Sequence, residues 1–159
     1  MTFTVSPIGP EVVASLLVRD DAGNPPRVLV DHEGGSPLRC CLRTSRPGEE
    51  VALLSYAPLR RWAVATGADP GPYDEVGPVF LHPAACPGYD GADWPGELRG
   101  SPRALRAYSP EGRIVRAVQV PSYGEFEKET EALLADPRVA VVHARAVEFG
   151  CFTFQVSRD

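Results

Sequence analysis

The chain has 159 residues, of which 43% are hydrophobic and 23% charged, with a formal net charge of -5. That length suits one domain, residues 1–159, with a real hydrophobic core. The acidic balance, without a basic tail or stripe, argues against nucleic acid as a partner. No apolar run approaches the roughly 18–20 residues of a membrane span, so no membrane association is expected. Met1-Thr2-Phe3-Thr4 lacks the basic start of an export signal, and four cysteines in such a chain point to reduced thiols and a cytoplasmic location.

In chain order, Phe3–Ile8 reads as a strand and Glu11–Arg19 as a helix, with apolar residues at 12, 13, 16 and 17. Strands are predicted at Arg27–Asp31, Leu38–Arg43, Val51–Tyr56, Pro78–His82, Ala104–Tyr108 and Arg113–Val120. Pro83–Ser101, with four glycines and three prolines, reads as a long ordered loop. Ser122 and Glu125 form a capping-box pattern ahead of a helix whose Phe126, Thr130, Leu133 and Leu134 share one face. Asp136-Pro137 stops that helix. The chain ends in a hairpin, Val139–Val147 and Cys151–Ser157, turning through Glu148-Phe149-Gly150. The fold class is α+β, a mainly antiparallel sheet with one or two helices and a C-terminal β-hairpin.

Register in that hairpin places Arg145 opposite Thr153 and His143 opposite Gln155. Ala140, Val142, Ala144 and Ala146 then share an oily face with Phe152, Phe154 and Val156. The other face carries His143, Arg145, Cys151, Thr153 and Gln155, an imidazole, a fixed cation and a thiol side by side. The basic residues are fifteen arginines and one lysine, a bias compatible with bidentate recognition of carboxylate or phosphate and also with genomic base composition. If Leu38–Arg43 is extended, Leu38, Cys40 and Leu42 face one way and Arg39, Cys41 and Arg43 the other. Cys40 is then a buried apolar residue, and Cys41 is a thiol between two guanidinium groups that favour its thiolate. Gly71–Cys86 has a backbone path set by its glycines and prolines, with Tyr73 on the approach and His82 at the strand's exit.

His82 and Cys86 can reach one ion, and His32, Cys41, His143 and Cys151 are the residues available to complete its shell. No paired CxxC, HxH or HExxH occurs, so no metal ligand and no cofactor are assigned from sequence. Neither glycine cluster has the strand–loop–helix setting of a nucleotide site.

Several strings together resemble one family: Pro37–Arg43, Gly48–Tyr56, Gly71–His82, Leu133–Pro137, and Val142-His143-Ala144-Arg145 followed by Gly150-Cys151-Phe152. They are similar to small single-domain bacterial proteins grouped as domain of unknown function twelve-oh-three. The resemblance runs from about Pro37 to the end and implies a stand-alone bacterial domain, with no activity to carry over. Members often have asparagine after the His-x-Arg string, where this chain has Ala146.

The leading expectation is an enzyme acting on a small anionic metabolite, a carboxylate or phosphate. Arg39, Arg43 and Arg145, with Cys151 beside them, would bind it. His143 would move protons, Cys41 or Cys151 would be the nucleophile, and Tyr73 and His82 would assist. The alternative is a non-catalytic binding module or homodimer using the hairpin face. A His/Cys metal site built on His82 and Cys86 ranks third.

Overall fold

Proline opens two of the three helices. Pro10 and Pro58 stand in the first turns of α1 (Pro10–Val18) and α2 (Pro58–Thr66), where the missing amide proton has no helical partner to lose. Gly67, at φ 76°, ends α2 in the left-handed conformation that only glycine adopts cheaply. The third helix, α3 (Phe126–Leu134), buries Phe126, Thr130, Leu133 and Leu134, the face its periodicity predicts. Its capping box does not form. Glu125 is itself the N-cap, without a side-chain cap bond, and pairs instead with Lys128.

The computed structural model describes residues 2–91 and 93–159. Two antiparallel sheets carry the fold. The first has strand order β1-β8-β7-β5-β6, from β1 (Phe3–Ser6), β5 (Arg103–Tyr108), β6 (Ile114–Val120), β7 (Val141–Ala146) and β8 (Phe152–Arg158). The second has order β2-β3-β4, from β2 (Arg27–Asp31), β3 (Glu49–Tyr56) and β4 (Gly77–Leu81). The α+β class expected from sequence is therefore the class observed.

Both faces of the five-stranded sheet are covered, so β7 is buried along nearly its whole length. On one face, Leu105, Ala144, Phe154 and Val156 pack under Phe126, Leu133 and Trp94. The Trp94 ring stacks on Phe126 at 4.7 Å and meets Phe154 edge-on at 4.8 Å. The opposite side holds a second core in which Phe152 joins Leu16, Leu38, Val51, Leu54 and Leu81.

Two local expectations are corrected. Pairing in the final hairpin keeps His143 opposite Gln155, but a bulge between Ala144 and Arg145 sets Arg145 opposite Phe152 rather than Thr153. Phe152 thereby leaves the Phe154 face and packs edge-on against His143 at 5.0 Å. Leu38–Arg43 is not a strand. The segment folds back as a tight turn, with the Leu38 amide donating to the Arg43 carbonyl at 2.9 Å and the Leu42 amide to the Leu38 carbonyl at 2.8 Å. Leu42 holds φ 58°, a conformation costing about 1–2 kcal/mol for an L-residue, while its side chain is buried in the first core.

Phe126→Ala removes a fully buried ring stacked on Trp94. We expect a loss of about 3–5 kcal/mol of unfolding free energy. Urea denaturation of the variant beside the wild type measures it.

Candidate functional site

The turn at Leu38–Arg43 decides where most of the chemistry lies. A strand would send the Cys40 and Cys41 side chains to opposite faces; the turn presents both thiols to His82, at the exit of β4. His82 Nδ1 lies 3.3 Å from Cys40 Sγ, 3.7 Å from Cys41 Sγ and 3.2 Å from Cys86 Sγ. These four donor atoms all lie within 4.8 Å of one another. All four cysteines are free thiols.

The far side of the His82 ring is held by charge. Nε2 stands 2.9 Å from Glu49 Oε1, and Glu49 is gripped by Arg43 through contacts of 2.6 and 3.0 Å. Glu49 can only accept from Nε2, whereas Arg43 NH2, 3.0 Å from the same nitrogen, can only donate to it, so the two contacts favour opposite tautomers of the ring. The bidentate Arg43 holds the Glu49 carboxyl well below the usual carboxylate range. Among the thiols, hydrogen bonding from Cys40 lowers Cys41 to about 5, aided by the Arg43 amide and His82. The same bond, together with burial, pushes Cys40 up, and burial raises Cys86.

Beyond the same turn lies a cavity of about 880 Å³, walled by both sheets and by the β7–β8 turn. Arg39, Arg103, Phe80, Asp31, Phe149 and Cys151 are among its lining residues. Arg39 is 4% exposed and Arg103 6%. Arg39 donates from Nε to the Phe152 carbonyl at 2.8 Å and from NH1 to the Pro37 carbonyl at 2.5 Å. Neither guanidinium has a carboxylate partner among the described residues, and Arg103 Nε is buried without any hydrogen-bond partner. Burial lowers Arg39 to about 10; the Cys151 thiol opposes that shift, and the Arg103 charge adds to it. Asp31 is occupied, accepting from Ser36, Ser45 and the Gly34 amide. Glu33 and Glu148, also on the wall, are exposed.

The residues singled out from sequence therefore divide into groups. Cys41, His82 and Arg43 come together with Cys86, and they bring in Cys40 and Glu49. Arg39 and Cys151 line the cavity, and they bring in Arg103. His143 lies apart from both, with no exposed surface, between Tyr108 at 4.8 Å and Phe152 at 5.0 Å. Arg145 is engaged by the Gly150 carbonyl at 2.9 Å and by Glu75 at 2.7 Å, and Glu75 also holds Arg106 at 3.0 Å. Tyr73 ends a single 3₁₀ turn, 41% exposed, and lines neither group. Arg103 left no sequence signal, being one arginine in an alternating strand. For Cys40 the signal was present: Pro37 and Pro47-Gly48 bracket its segment as turn residues do.

Two antiparallel sheets enclosing an arginine-lined cavity, with a thiol–imidazole cluster behind its wall, define an α+β domain with two separate groups of reactive side chains. The family model described as protein of unknown function (DUF1203) matches residues 35–158, and the chain belongs to that family. No curated protein and no solved structure matches the chain.

Burial of His143 makes stability pH-dependent. Desolvation first, then Arg145 and Arg106, lower it to about 3 from 6.5, with Gln155 pulling the other way. Between those values the unfolded chain binds the proton and the folded one does not, so folding is favoured as pH rises. The contribution is intact above about pH 6.5 and is lost as pH falls toward 3, at about 1.4 kcal/mol per unit. His143→Phe keeps the ring and removes the titration. Between pH 7 and pH 5 we expect the wild type to lose about 2 kcal/mol more than this variant, read from denaturant midpoints at each pH.

Proposed function

We propose that this is a cytoplasmic bacterial domain that binds a small anionic metabolite, a carboxylate or a phosphate, in the cavity between its sheets. The observation that carries the reading is the pair of buried guanidinium groups, Arg39 and Arg103, which share the cavity without a carboxylate partner among the described residues. A buried charge left unpaired costs several kcal/mol, and two of like sign cost more. An anion placed between them offsets both at once, through charge-assisted hydrogen bonds that Arg103 makes to none of the described residues.

The volume supports the same reading, since about 880 Å³ lies in the range of small-molecule sites. Phe80 and Leu53 give it an apolar wall, while Ser36, Ser101 and Ser122 offer hydroxyls for orientation. The four free thiols fit a reducing compartment, and among the described residues no helix is long and apolar enough to cross a membrane. Cys151 supports the enzymatic form of this reading. Its thiol lines the same cavity and interacts with the Arg39 charge, so a nucleophile sits beside the bound anion.

Phosphate and a set of small mono- and dicarboxylates, added at constant ionic strength, should raise the melting temperature where chloride does not. Arg39→Gln and Arg103→Gln should each weaken binding by roughly ten- to a hundred-fold in calorimetry, the equivalent of one charge-assisted hydrogen bond. Iodoacetamide should modify Cys151, and the bound anion should slow that reaction. A chain that no anion stabilises, with both arginine variants indistinguishable from wild type, would overturn the proposal.

A further inference from the structure

We infer that Cys40, Cys41, His82 and Cys86 form a zinc site, a closed centre of three cysteines and one histidine that pins the turn presenting Arg39. The inference stands on the donor set alone and does not depend on what fills the anion cavity.

Geometry is the first argument. Zinc bonds of about 2.3 Å to sulfur and 2.0–2.1 Å to nitrogen, at tetrahedral angles, set ligand separations of about 3.6 Å for N···S and 3.8 Å for S···S. His82 Nδ1 already stands 3.2–3.7 Å from all three sulfurs. The four donors come from two distant stretches of chain, residues 40–41 and 82–86. Adjacent cysteines share one ion only where the backbone turns sharply between them, as it does here.

The surroundings are those a metal centre requires. A metal on Nδ1 would leave the ring proton on Nε2, where Glu49 stands 2.9 Å away to accept it, and Arg43 holds Glu49 in turn. One sulfur also has a backbone amide directed at it: His82 N–H donates to Cys40 Sγ at 3.3 Å. Amide donors of this kind stabilise thiolate, and three thiolates at such spacing need a cation to coexist.

Donor chemistry selects the ion. Three soft thiolates and one imidazole in a tetrahedral arrangement favour zinc over the oxygen-seeking magnesium, calcium or manganese. Four protein ligands close the shell, which is the pattern of a structural site rather than one with an open catalytic position. With the dication bound, three thiolates and a neutral imidazole give the centre a net charge of -1 beside the Arg43–Glu49 pair. The ion then ties the Leu38–Arg43 turn to the end of β4.

Metal analysis of protein expressed without an affinity tag and dialysed against metal-free buffer tests this. About one zinc per chain is expected. Cobalt(II) exchanged into the site should show the d–d bands of a tetrahedral ion and thiolate-to-metal charge transfer. Cys86→Ser, in the half-buried loop after β4, should lose the charge-transfer intensity of one thiolate and most of the zinc. Glu49→Gln keeps all four ligands and should weaken zinc affinity by about 10- to 100-fold in a chelator competition. Arg39→Gln should leave the zinc content unchanged, which separates failure of this site from failure of the anion cavity. A reduced wild-type chain that neither contains zinc nor takes it up anaerobically would overturn the inference. So would zinc retained in full, at unchanged affinity, by both Cys86→Ser and Glu49→Gln.

Discussion

The tertiary arrangement turns on Arg39, which ties three parts of the chain to one residue. Its amide donates to the Phe80 carbonyl of β4 at 2.9 Å, and its carbonyl accepts from the Ile8 amide ahead of α1, also at 2.9 Å. Its guanidinium reaches across to the Phe152 carbonyl at the start of β8. Every one of these groups would otherwise be a buried polar atom without a partner, so the turn around Arg39 cannot shift without exposing several at once. That constraint joins the three-stranded sheet to the five-stranded one. It also aims consecutive residues in different directions, with the Arg39 guanidinium toward the cavity and the Cys40 and Cys41 thiols toward His82.

Periodicity made much of the scaffold legible. Strands β2, β3, β4, β5 and β6 lie within a few residues of where alternation places them, and the buried face of α3 is the one its spacing requires. Local regularity misleads where tertiary contacts win. Leu38–Arg43 alternates as a strand should, yet it has no partner strand of its own length; Leu38 bridges only to Phe80, and Pro37 only to Thr44. The bulge after Ala144 likewise cannot be read from Arg145 or Cys151, because it is set by where Phe152 finds a core to enter.

The polar face of the final hairpin shows the limit of reading chemistry from residue types. His143, Arg145 and Cys151 do stand near one another in the chain, and a one-sided sheet would present them to solvent together. Here the second sheet covers that face. Burial leaves His143 neutral, the charge of Arg145 is spent on Glu75, and only Cys151, at the turn, keeps access to the cavity. Whether a reactive set becomes a site depended on which face was covered, a fact that lies outside the hairpin's own sequence.

Departures from ordinary folding rules gather around this one junction. Leu42 holds a left-handed backbone, and among the described residues Arg39 and Arg103 bury charge without counter-charge while the buried His143 ring nitrogens lack hydrogen-bond partners. All connect through few residues: Leu42 follows the thiols, Arg39 bonds the Phe152 carbonyl, and the Phe152 ring touches His143. Each feature costs stability, and a domain of this size has little to spare. A fold retains such costs where the strained geometry is repaid by something it binds, or where the surrounding packing over-determines it. For Leu42 the packing suffices, since its side chain is enclosed by apolar neighbours. For the two arginines and the three thiols it does not, because apolar packing raises the cost of a charge. An anion meets the need of the first pair and a cation that of the second cluster. The turn between them is the element on which both demands fall.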